Sequence, residues 1–210
     1  MIIRWHGHAC FEISNDHVIV TDPHDGKSIG IKPPQVKADL VLVSHGHFDH
    51  NSVKSVSKGS TKTIDTPGTH NELDIEVKGV EVFHDSSGGE RRGKNCIYKF
   101  NIDGVVMCHL GDLGHIPTQE QLKEIGPMDI LFIPIGNVFT IGAHDAWKTI
   151  KLLKPKVAIP MHYRVGGLSL SIQPLDNFIN NANKIERVGN EINFEAEDLP
   201  SDFEVWVFSL

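Results

Sequence analysis

The chain has 210 residues, of which 40% are hydrophobic and 22% charged, an ordinary globular composition with enough residues to bury a full core. Its formal net charge of −7 disfavours generic binding to nucleic acid or to an anionic membrane surface. No stretch approaches the roughly 18 apolar residues of a membrane-spanning helix, and the first residues lack the regions of a signal peptide.

The first half of the chain is predicted to be rich in β-strands. Asn15-Asp16 is a hairpin turn between two of them, and the Gly- and Pro-containing segment 26–37 is a loop. A short helix over 51–58 begins with Asn51 or Ser52 as its cap and ends at Gly59. The predicted strands are 2–5, 9–13, 17–21, 39–44, 61–65, 73–77 and 80–83.

The second half alternates strands with helices. Asp103-Gly104 predicts a tight hairpin, Thr118-x-x-Gln121 is a capping box that opens a helix to about Ile125, and Pro155 ends an amphipathic helix over 143–154. The other predicted elements are strands 96–102, 105–110, 129–135, 157–160 and 203–208 and a helix over 174–183. Two sheets packed face to face, with helices outside, would accommodate this order.

The domain organisation is expected to be simple. No internal repeat, low-complexity tract or interdomain linker interrupts the chain, so we expect a single domain over 1–210. The three cysteines, Cys10, Cys96 and Cys108, contain no C-x-x-C pair and lie in apolar stretches. Buried, reduced thiols in a cytoplasmic protein are therefore the expectation.

A dense set of metal-ligand side chains directly follows the apolar strand 39–44. The sequence His-Gly-His-Phe-Asp-His over 45–50 offers three imidazoles and one carboxylate. Ligands on one helix face recur at i, i+3 or i+4, whereas His45 and His47 are two residues apart. A turn at the strand end would aim these two at one point and Asp49 and His50 at a neighbouring point. This is the layout of a two-metal hydrolytic site, with a His-rich surface turn or an adventitious metal site as alternatives.

Three further potential ligands follow apolar strands elsewhere in the chain. His84, Asp112 and His162 are each the first strong metal ligand beyond such a strand. Strand ends that share one rim of a sheet are where sites cluster. Any one of these residues alone would more often be an ordinary polar group, but together with the 45–50 motif they predict a complete centre.

These motifs together resemble the metallo-β-lactamase superfamily, and within it the small stand-alone hydrolases of the ascorbate-6-phosphate lactonase-like branch. The likeness runs to about Tyr163 and implies an α+β fold, a four-layer αβ/βα sandwich with two mixed β-sheets face to face and helices outside. Supporting strings are Gly7-His8-Ala9-Cys10-Phe11, Asp22-Pro23, Gly111-Asp112-Leu113-Gly114-His115, Ile133-Pro134-Ile135-Gly136, Lys154-Pro155-Lys156 and Pro160-Met161-His162-Tyr163.

The resemblance implies two divalent metal ions, with zinc favoured and manganese as the alternative. A hydroxide that bridges them would attack a carbonyl carbon or a phosphorus atom. Asp112 would bridge the ions, and Asp22 would be a supporting residue nearby. The ligands implied for the first ion are His45, His47 and His84, and those for the second are Asp49, His50 and His162.

Other residues have more than one interpretation. Asp49 is also a candidate proton acceptor. His115 contacts substrate, shuttles protons or plays no part, and His8 either faces the cleft or is a hydrogen-bonded structural histidine. His47 favours hydrolysis over dioxygen chemistry, because the related flavodiiron oxidoreductases carry a glutamate there and need a flavin domain for which 210 residues leave no room.

The substrate is only weakly indicated. The segment 86–94 is either a loop over the site, whose Arg91, Arg92 or Lys94 meets an anionic group, or a solvated hairpin tip. Arg164 is a further candidate for a phosphate or carboxylate. The prediction is thus a hydrolase of a small, anionic ester, lactone or phosphodiester.

The alternative function is a non-catalytic metal-binding or ligand-sensing domain on the same fold, followed by an iron-dependent oxidoreductase. A small-molecule substrate is the expected partner, and neither nucleic acid nor a membrane is expected. The oligomeric state stays open, and a homo-oligomer is one of the possibilities.

Overall fold

The computed structural model describes residues 1–210 and contains 14 β-strands in two sheets and four α-helices. The strands of the first sheet are β1 (Ile2–Trp5), β2 (Phe11–Ser14), β3 (Val18–Thr21), β4 (Leu40–Leu42), β5 (Lys62–Ile64) and β13 (Glu191–Asn193). The strands of the second are β6 (Gly68–Glu72), β7 (Ile75–Phe83), β8 (Lys94–Ile102), β9 (Val105–His109), β10 (Ile130–Pro134), β11 (Val157–Met161), β12 (Ile185–Gly189) and β14 (Glu204–Phe208).

Both sheets are mixed. The first has the order β13-β1-β2-β3-β4-β5, antiparallel from β13 to β3 and parallel from β3 to β5. The second has the order β12-β14-β11-β10-β9-β8-β7-β6, antiparallel from β6 to β9 and parallel from β9 to β12. Each sheet therefore has an antiparallel part and a parallel part. Hairpins connect antiparallel neighbours, whereas parallel neighbours need a longer crossover connection.

The core lies between the two sheets. Phe11 of the first sheet packs against Phe132 of the second with ring centroids 4.6 Å apart, and both rings are fully buried. Strands β10 and β11 are buried along their whole length, as expected for parallel strands covered on both faces. The predicted α+β fold with two mixed sheets is confirmed.

The helices are α1 (Val53–Val56), α2 (Gln119–Ile125), α3 (Ala143–Leu153) and α4 (Asp176–Ile179). The predicted capping box of α2 is present, since Thr118 Oγ1 accepts from Gln121 N and the Gln121 side chain accepts from Thr118 N. α3 ends at Leu153, with Lys154 in a left-handed conformation as its C-cap. No helix has the combination of length and apolar character that crossing a bilayer requires.

Several predicted elements were wrong in extent. The strands predicted over 73–77 and 80–83 are the single strand β7, because Gly79 pairs with Tyr98 and does not interrupt the ladder. The helix predicted over 174–183 is only the short α4. The one predicted over 51–58 is the single turn α1, which ends at Val56 with Ser57, and not Gly59, as the residue that follows it. Strands β6, β12 and β13 were not predicted.

Candidate metal centre

The 45–50 motif begins where β4 ends and is held between the two sheets. Tyr98 Oη of the second sheet donates to Val43 O at 3.1 Å, and Cys96 N donates to Ser44 O at 2.8 Å. The chain then closes into a compact turn in which His50 N donates to His47 O at 3.0 Å. The predicted turn at the strand end therefore exists and is anchored to both sheets.

The seven predicted ligands come together around the carboxylate of Asp112. Its Oδ2 lies 3.2 Å from His84 Nε2 and 3.2 Å from His162 Nε2, and its Oδ1 lies 3.3 Å from His50 Nε2. His45, His47 and His84 form one group of converging donor atoms, and Asp49, His50 and His162 belong to a second. Asp112 thus lies between the two groups.

Asp112 is positioned by a glycine and an asparagine. Gly111 has φ of +55°, and a side chain there would lie 2.4 Å from Asn95 Oδ1 and 2.5 Å from Ser44 Cβ. Asn95 Oδ1 accepts from Asp112 N at 2.9 Å, while Asn95 Nδ2 donates to Leu110 O at 2.9 Å. The Gly-Asp pair is therefore needed at this point, because only glycine fits the left-handed and crowded position.

Asp22 lies behind His50, where its carboxylate forms a third group of close donor atoms with His45 and His50, on the side of the His50 ring opposite Asp112. Its Oδ1 accepts from Ser44 N at 2.7 Å, and its Oδ2 accepts from Ser44 Oγ at 2.6 Å and lies 3.0 Å from His50 Nδ1. A carboxylate on one ring nitrogen of a histidine fixes the tautomer and leaves the other nitrogen free for a metal ion. The geometry suits the supporting position predicted for Asp22.

The electrostatics of the cluster suit divalent cations. Asp22, Asp49 and Asp112 are buried, and their ion-pair partners are all histidines, with no Lys or Arg among them. Burial raises the pKa of each carboxyl group, but the surrounding histidines outweigh it and lower the pKa. Buried carboxylates without a full positive charge are costly unless a cation compensates them.

The pKa values of His45 and His50 are shifted in opposite directions. Burial, together with the charge of His50, lowers the pKa of His45 to about 3 and so keeps its imidazole neutral. Burial also opposes a charge on His50, but Asp112 and Asp22 outweigh this and raise its pKa. Ionised carboxylates and neutral imidazoles are the forms that bind metal ions, and the carboxylates around His50 attract either a proton or a cation to that point.

An unpaired buried atom provides a further test of the fit. Asp112 Oδ1 has no hydrogen-bond partner, although buried polar atoms are normally paired, and it lies among the histidines of the cluster. Most of the cluster is buried, whereas His47 and the neighbouring Phe48 are exposed. The residues present therefore fit a metal centre that opens to solvent on the side of His47.

His8 and His115 occupy very different positions. His8 is fully buried, and its Nε2 lies 3.1 Å from Asp49 Oδ2 and 3.1 Å from His50 Nε2. His115 lies outside the cluster, since its Nε2 accepts from Phe83 N and its Nδ1 lies 2.9 Å from Ile116 O. With both ring nitrogens engaged by the backbone, the geometry does not support the catalytic role predicted for His115.

The segment 86–94 is an ordered loop held by one carboxylate that the sequence analysis did not single out. Asp85 accepts hydrogen bonds from four backbone N–H groups, those of Ser87, Gly89, Arg91 and Arg92. Burial raises the pKa of Asp85, but these four donors outweigh it and hold the pKa at about 2. The carboxylate therefore stays ionised and fixes the loop beside His84.

The three basic side chains of this loop have distinct environments. Lys94 is paired with Glu81 at 2.9 Å, and Arg91 is exposed. The guanidinium of Arg92 has no carboxylate partner and lies over the ring of Phe139, 5.1 Å from its centroid, which is within the range of a cation–π contact. Arg164 is exposed, and its side chain is likewise unpaired.

The Arg92–Phe139 contact connects opposite sides of the cluster. Gly93 O accepts from His84 N at 3.0 Å, so the loop of Arg92 is bound to a residue of the first donor group. The loop of Phe139 begins beside Gly136, where a side chain would lie 2.3 Å from His162 O. Phe139 had no signal in the sequence, because its role depends on a contact between distant segments.

Comparisons with known proteins cover most of the chain. The model of the beta-lactamase superfamily domain matches residues 2–162. A metal-dependent hydrolase from Thermococcus onnurineus is 34% identical over 187 residues, which cover 77% of this chain and 84% of that protein. One from Thermoplasma acidophilum is 35% identical over 185 residues, which cover 77% and 82%.

A crystal structure from Thermotoga maritima superposes on almost the whole chain. That protein is named as a candidate Zn-dependent hydrolase of the metallo-beta-lactamase superfamily. The TM-score is 0.82 at 39% identity, and the match covers 99% of this chain and 97% of the other. None of these names mentions a lactonase, so the resemblance to the ascorbate-6-phosphate lactonase-like branch stays a prediction.

Proposed function

Because this chain belongs to the metallo-β-lactamase superfamily and its relatives are metal-dependent hydrolases, we propose that it hydrolyses a small, anionic ester, lactone or phosphodiester with two divalent ions. Zinc is the favoured metal and manganese the alternative, because the donors are a mixture of imidazoles and carboxylates.

The observation that carries this proposal is the position of Asp112. One carboxylate faces His84 with Oδ2 and His50 with Oδ1, at 3.2 Å and 3.3 Å, so it reaches both donor groups at once. A carboxylate that reaches two donor groups suits a pair of ions about 3.5–4 Å apart, as in two-metal hydrolytic sites. In the proposal, His45, His47 and His84 would hold one ion, Asp49, His50 and His162 would hold the other, and Asp112 would serve both.

When bound, the ions would lower the pKa of a coordinated water towards neutrality and take up negative charge on the substrate oxygen. The protein residues do the rest. Asp22 holds His50 in the tautomer with Nε2 free. Asp49 is ionised, because hydrogen bonding with His8 and the proximity of His50 outweigh its burial, and it is the proposed acceptor for a proton of the attacking water.

The substrate class is proposed from Arg92. It is half-buried, has no acidic partner, and belongs to a loop bonded to His84. A guanidinium stacked on an aromatic ring is pre-oriented for a carboxylate or phosphate. The exposed Phe48 at the opening of the centre adds an apolar surface. An anionic small molecule fits both features.

The test is hydrolysis of bis-p-nitrophenyl phosphate and of a simple lactone by the metal-loaded protein, with and without chelator, alongside metal content per chain. We expect two ions per chain and chelator-sensitive turnover of at least one substrate. The Asp112→Ala variant should lose turnover and metal while keeping its circular dichroism spectrum.

Two results would overturn the proposal. One ion or none per wild-type chain would contradict the two-ion centre. Two ions without turnover of either substrate would favour the alternative of a metal-binding or ligand-sensing domain.

Asn15→Ala serves as a control variant, because Asn15 lies in the turn between β2 and β3 and bonds only to Asp103 through its side chain.

A further inference from the structure

We infer that His8 is a direct ligand of the second ion, beside Asp49, His50 and His162. The superfamily motif places only the last three residues at that position, whereas the structure brings all four donor atoms within 4.8 Å of one another. This inference rests on the proposed two-ion centre and adds a residue from the turn between β1 and β2.

The donor atom of His8 lies at ligand spacing from its neighbours. His8 Nε2 is 3.1 Å from Asp49 Oδ2 and 3.1 Å from His50 Nε2. Donor atoms bound to one ion at about 2.0–2.2 Å lie about 3.0–3.5 Å from each other. The same spacing, 3.2–3.3 Å, separates Asp112 from its nearest histidine nitrogens. His8 therefore converges on the same point as the ligands that the motif identifies.

The backbone around His8 is constrained in a way that fixes this orientation. His8 has φ of +55°, a conformation that non-glycine residues rarely adopt. Its carbonyl accepts from Trp5 Nε1 and from His162 N, both at 3.1 Å, and its ring packs 4.1 Å from the ring of His162. Strained conformations of this kind persist where the surroundings impose them and are concentrated at functional sites.

The other ring nitrogen of His8 takes no part in orienting the ring. His8 Nδ1 is buried without a partner, so the hydrogen-bond contacts of the ring are made by Nε2, with Asp49 and His50. The ring is therefore oriented from the side of the cluster, unlike that of His109, whose two nitrogens bond to Ala9 O and Gly111 N.

A fourth residue at this position makes the two ion positions unequal. With Asp112 included, the first position has four protein donors and the second has five. Four nitrogen and oxygen donors suit tetrahedral zinc, whereas larger sets suit ions that prefer six ligands, such as manganese. We therefore expect the second position to accept manganese more readily than the first.

The first test uses the wild-type protein. Cadmium in its NMR-active isotope is loaded into nitrogen-labelled protein, and the histidines coupled to each cadmium signal are counted. We expect three on each signal, with His8, His50 and His162 on one of them. Three on one signal and two on the other would overturn the inference while leaving the two-ion centre intact. A single cadmium signal would overturn both.

Two variants identify the residue. His8→Gln should remove one coupled histidine from the second signal only. His8→Cys loaded with cobalt(II) should gain a thiolate-to-cobalt charge-transfer band. The matched control is His24→Cys, because His24 is equally buried and also has an unpaired Nδ1, but its Nε2 bonds to His6 O. A folded His8→Cys protein that binds two cobalt ions without the band would overturn the inference.

Discussion

His50 Nδ1 lies 3.0 Å from Asp22 Oδ2, and this contact decides which nitrogen His50 presents to Asp112. Asp22 itself is fixed by two hydrogen bonds from Ser44, the residue immediately before the metal-ligand motif. The orientation of this predicted ligand thus depends on a carboxylate that lies 28 residues earlier in the chain.

The Asp22→Asn variant tests this dependence. An amide can still accept from Ser44 N, but its NH₂ group would face His50 Nδ1 and favour the wrong tautomer. We expect the second ion to bind roughly 10–100-fold more weakly, with the fold retained. Competition with a chromophoric chelator measures the affinity. Asp25→Asn is the control, since Asp25 bonds only to Ser28; equal affinities in the Asp22 variant and wild type would contradict the prediction.

A second prediction concerns the attachment of the C-terminal segment to the first sheet. Arg4 of β1 pairs with Glu12 of β2 at 3.1 Å and with Glu191 of β13, and His6 Nε2 lies 3.0 Å from Glu12. Burial raises the pKa of Glu12, but His6 and Arg4 outweigh it and lower the pKa. The stabilisation is therefore present above the ordinary glutamate pKa and is lost as pH falls through the lowered value.

Glu12→Gln should consequently lower the free energy of unfolding by about 1–3 kcal/mol at neutral pH. The difference from wild type should be smaller at an acidic pH below the ordinary glutamate pKa, because Glu12 becomes protonated as the pH falls through its lowered pKa. Urea denaturation at both pH values measures it, with Glu186→Gln as a control on the exposed strand β12, where no ion pair forms. An equal loss at both pH values would refute the charge-based explanation.

The sequence was most informative where a structural feature depends on neighbouring residues. The Asp103-Gly104 hairpin, the Thr118 capping box and the end of α3 before Pro155 are local, and all are present. β7 was divided in the prediction because Gly79 disfavours strands in isolation. Gly79 stays within the strand because it pairs with Tyr98, and a residue with a side chain is disfavoured there because Pro67 lies close by. Neither contact can be predicted from the residues next to Gly79 in the sequence.

The candidate site follows the same rule. The 45–50 motif predicted its own turn, and the strand-end positions of His84, Asp112 and His162 predicted a shared rim. Contacts between distant segments could not be predicted from the sequence. The choice between the two interpretations of His8 depends on its contact with Asp49, which lies 41 residues away. The choice among the basic residues of 86–94 depends on the contact of one of them with Phe139.

The Asp85→Asn variant tests whether the 86–94 loop is held by a single carboxylate. An amide has only one acceptor oxygen, so two of the four backbone donors would lose their partner. Each hydrogen bond lost to a charged group should speed exchange of its amide by roughly tenfold, so the two unpaired amides among residues 87–92 should exchange faster. Exchange mass spectrometry measures this, and Asp25→Asn, which removes a similar turn carboxylate elsewhere, should leave the loop unchanged. Unaltered protection would mean that other contacts hold the loop.

The role of Arg92 can be separated from general charge effects. Arg92→Ala should raise KM for a phosphodiester about tenfold, the effect of losing one charge-assisted contact, and leave kcat/KM for a neutral lactone unchanged. Arg91→Ala removes the same charge from the exposed neighbour and should change neither. Phe139→Leu should reproduce part of the Arg92 effect, because it removes the ring on which the guanidinium lies. If both arginine variants raised KM equally, long-range electrostatics would explain the preference; if the neutral substrate suffered equally, Arg92 would only support the loop.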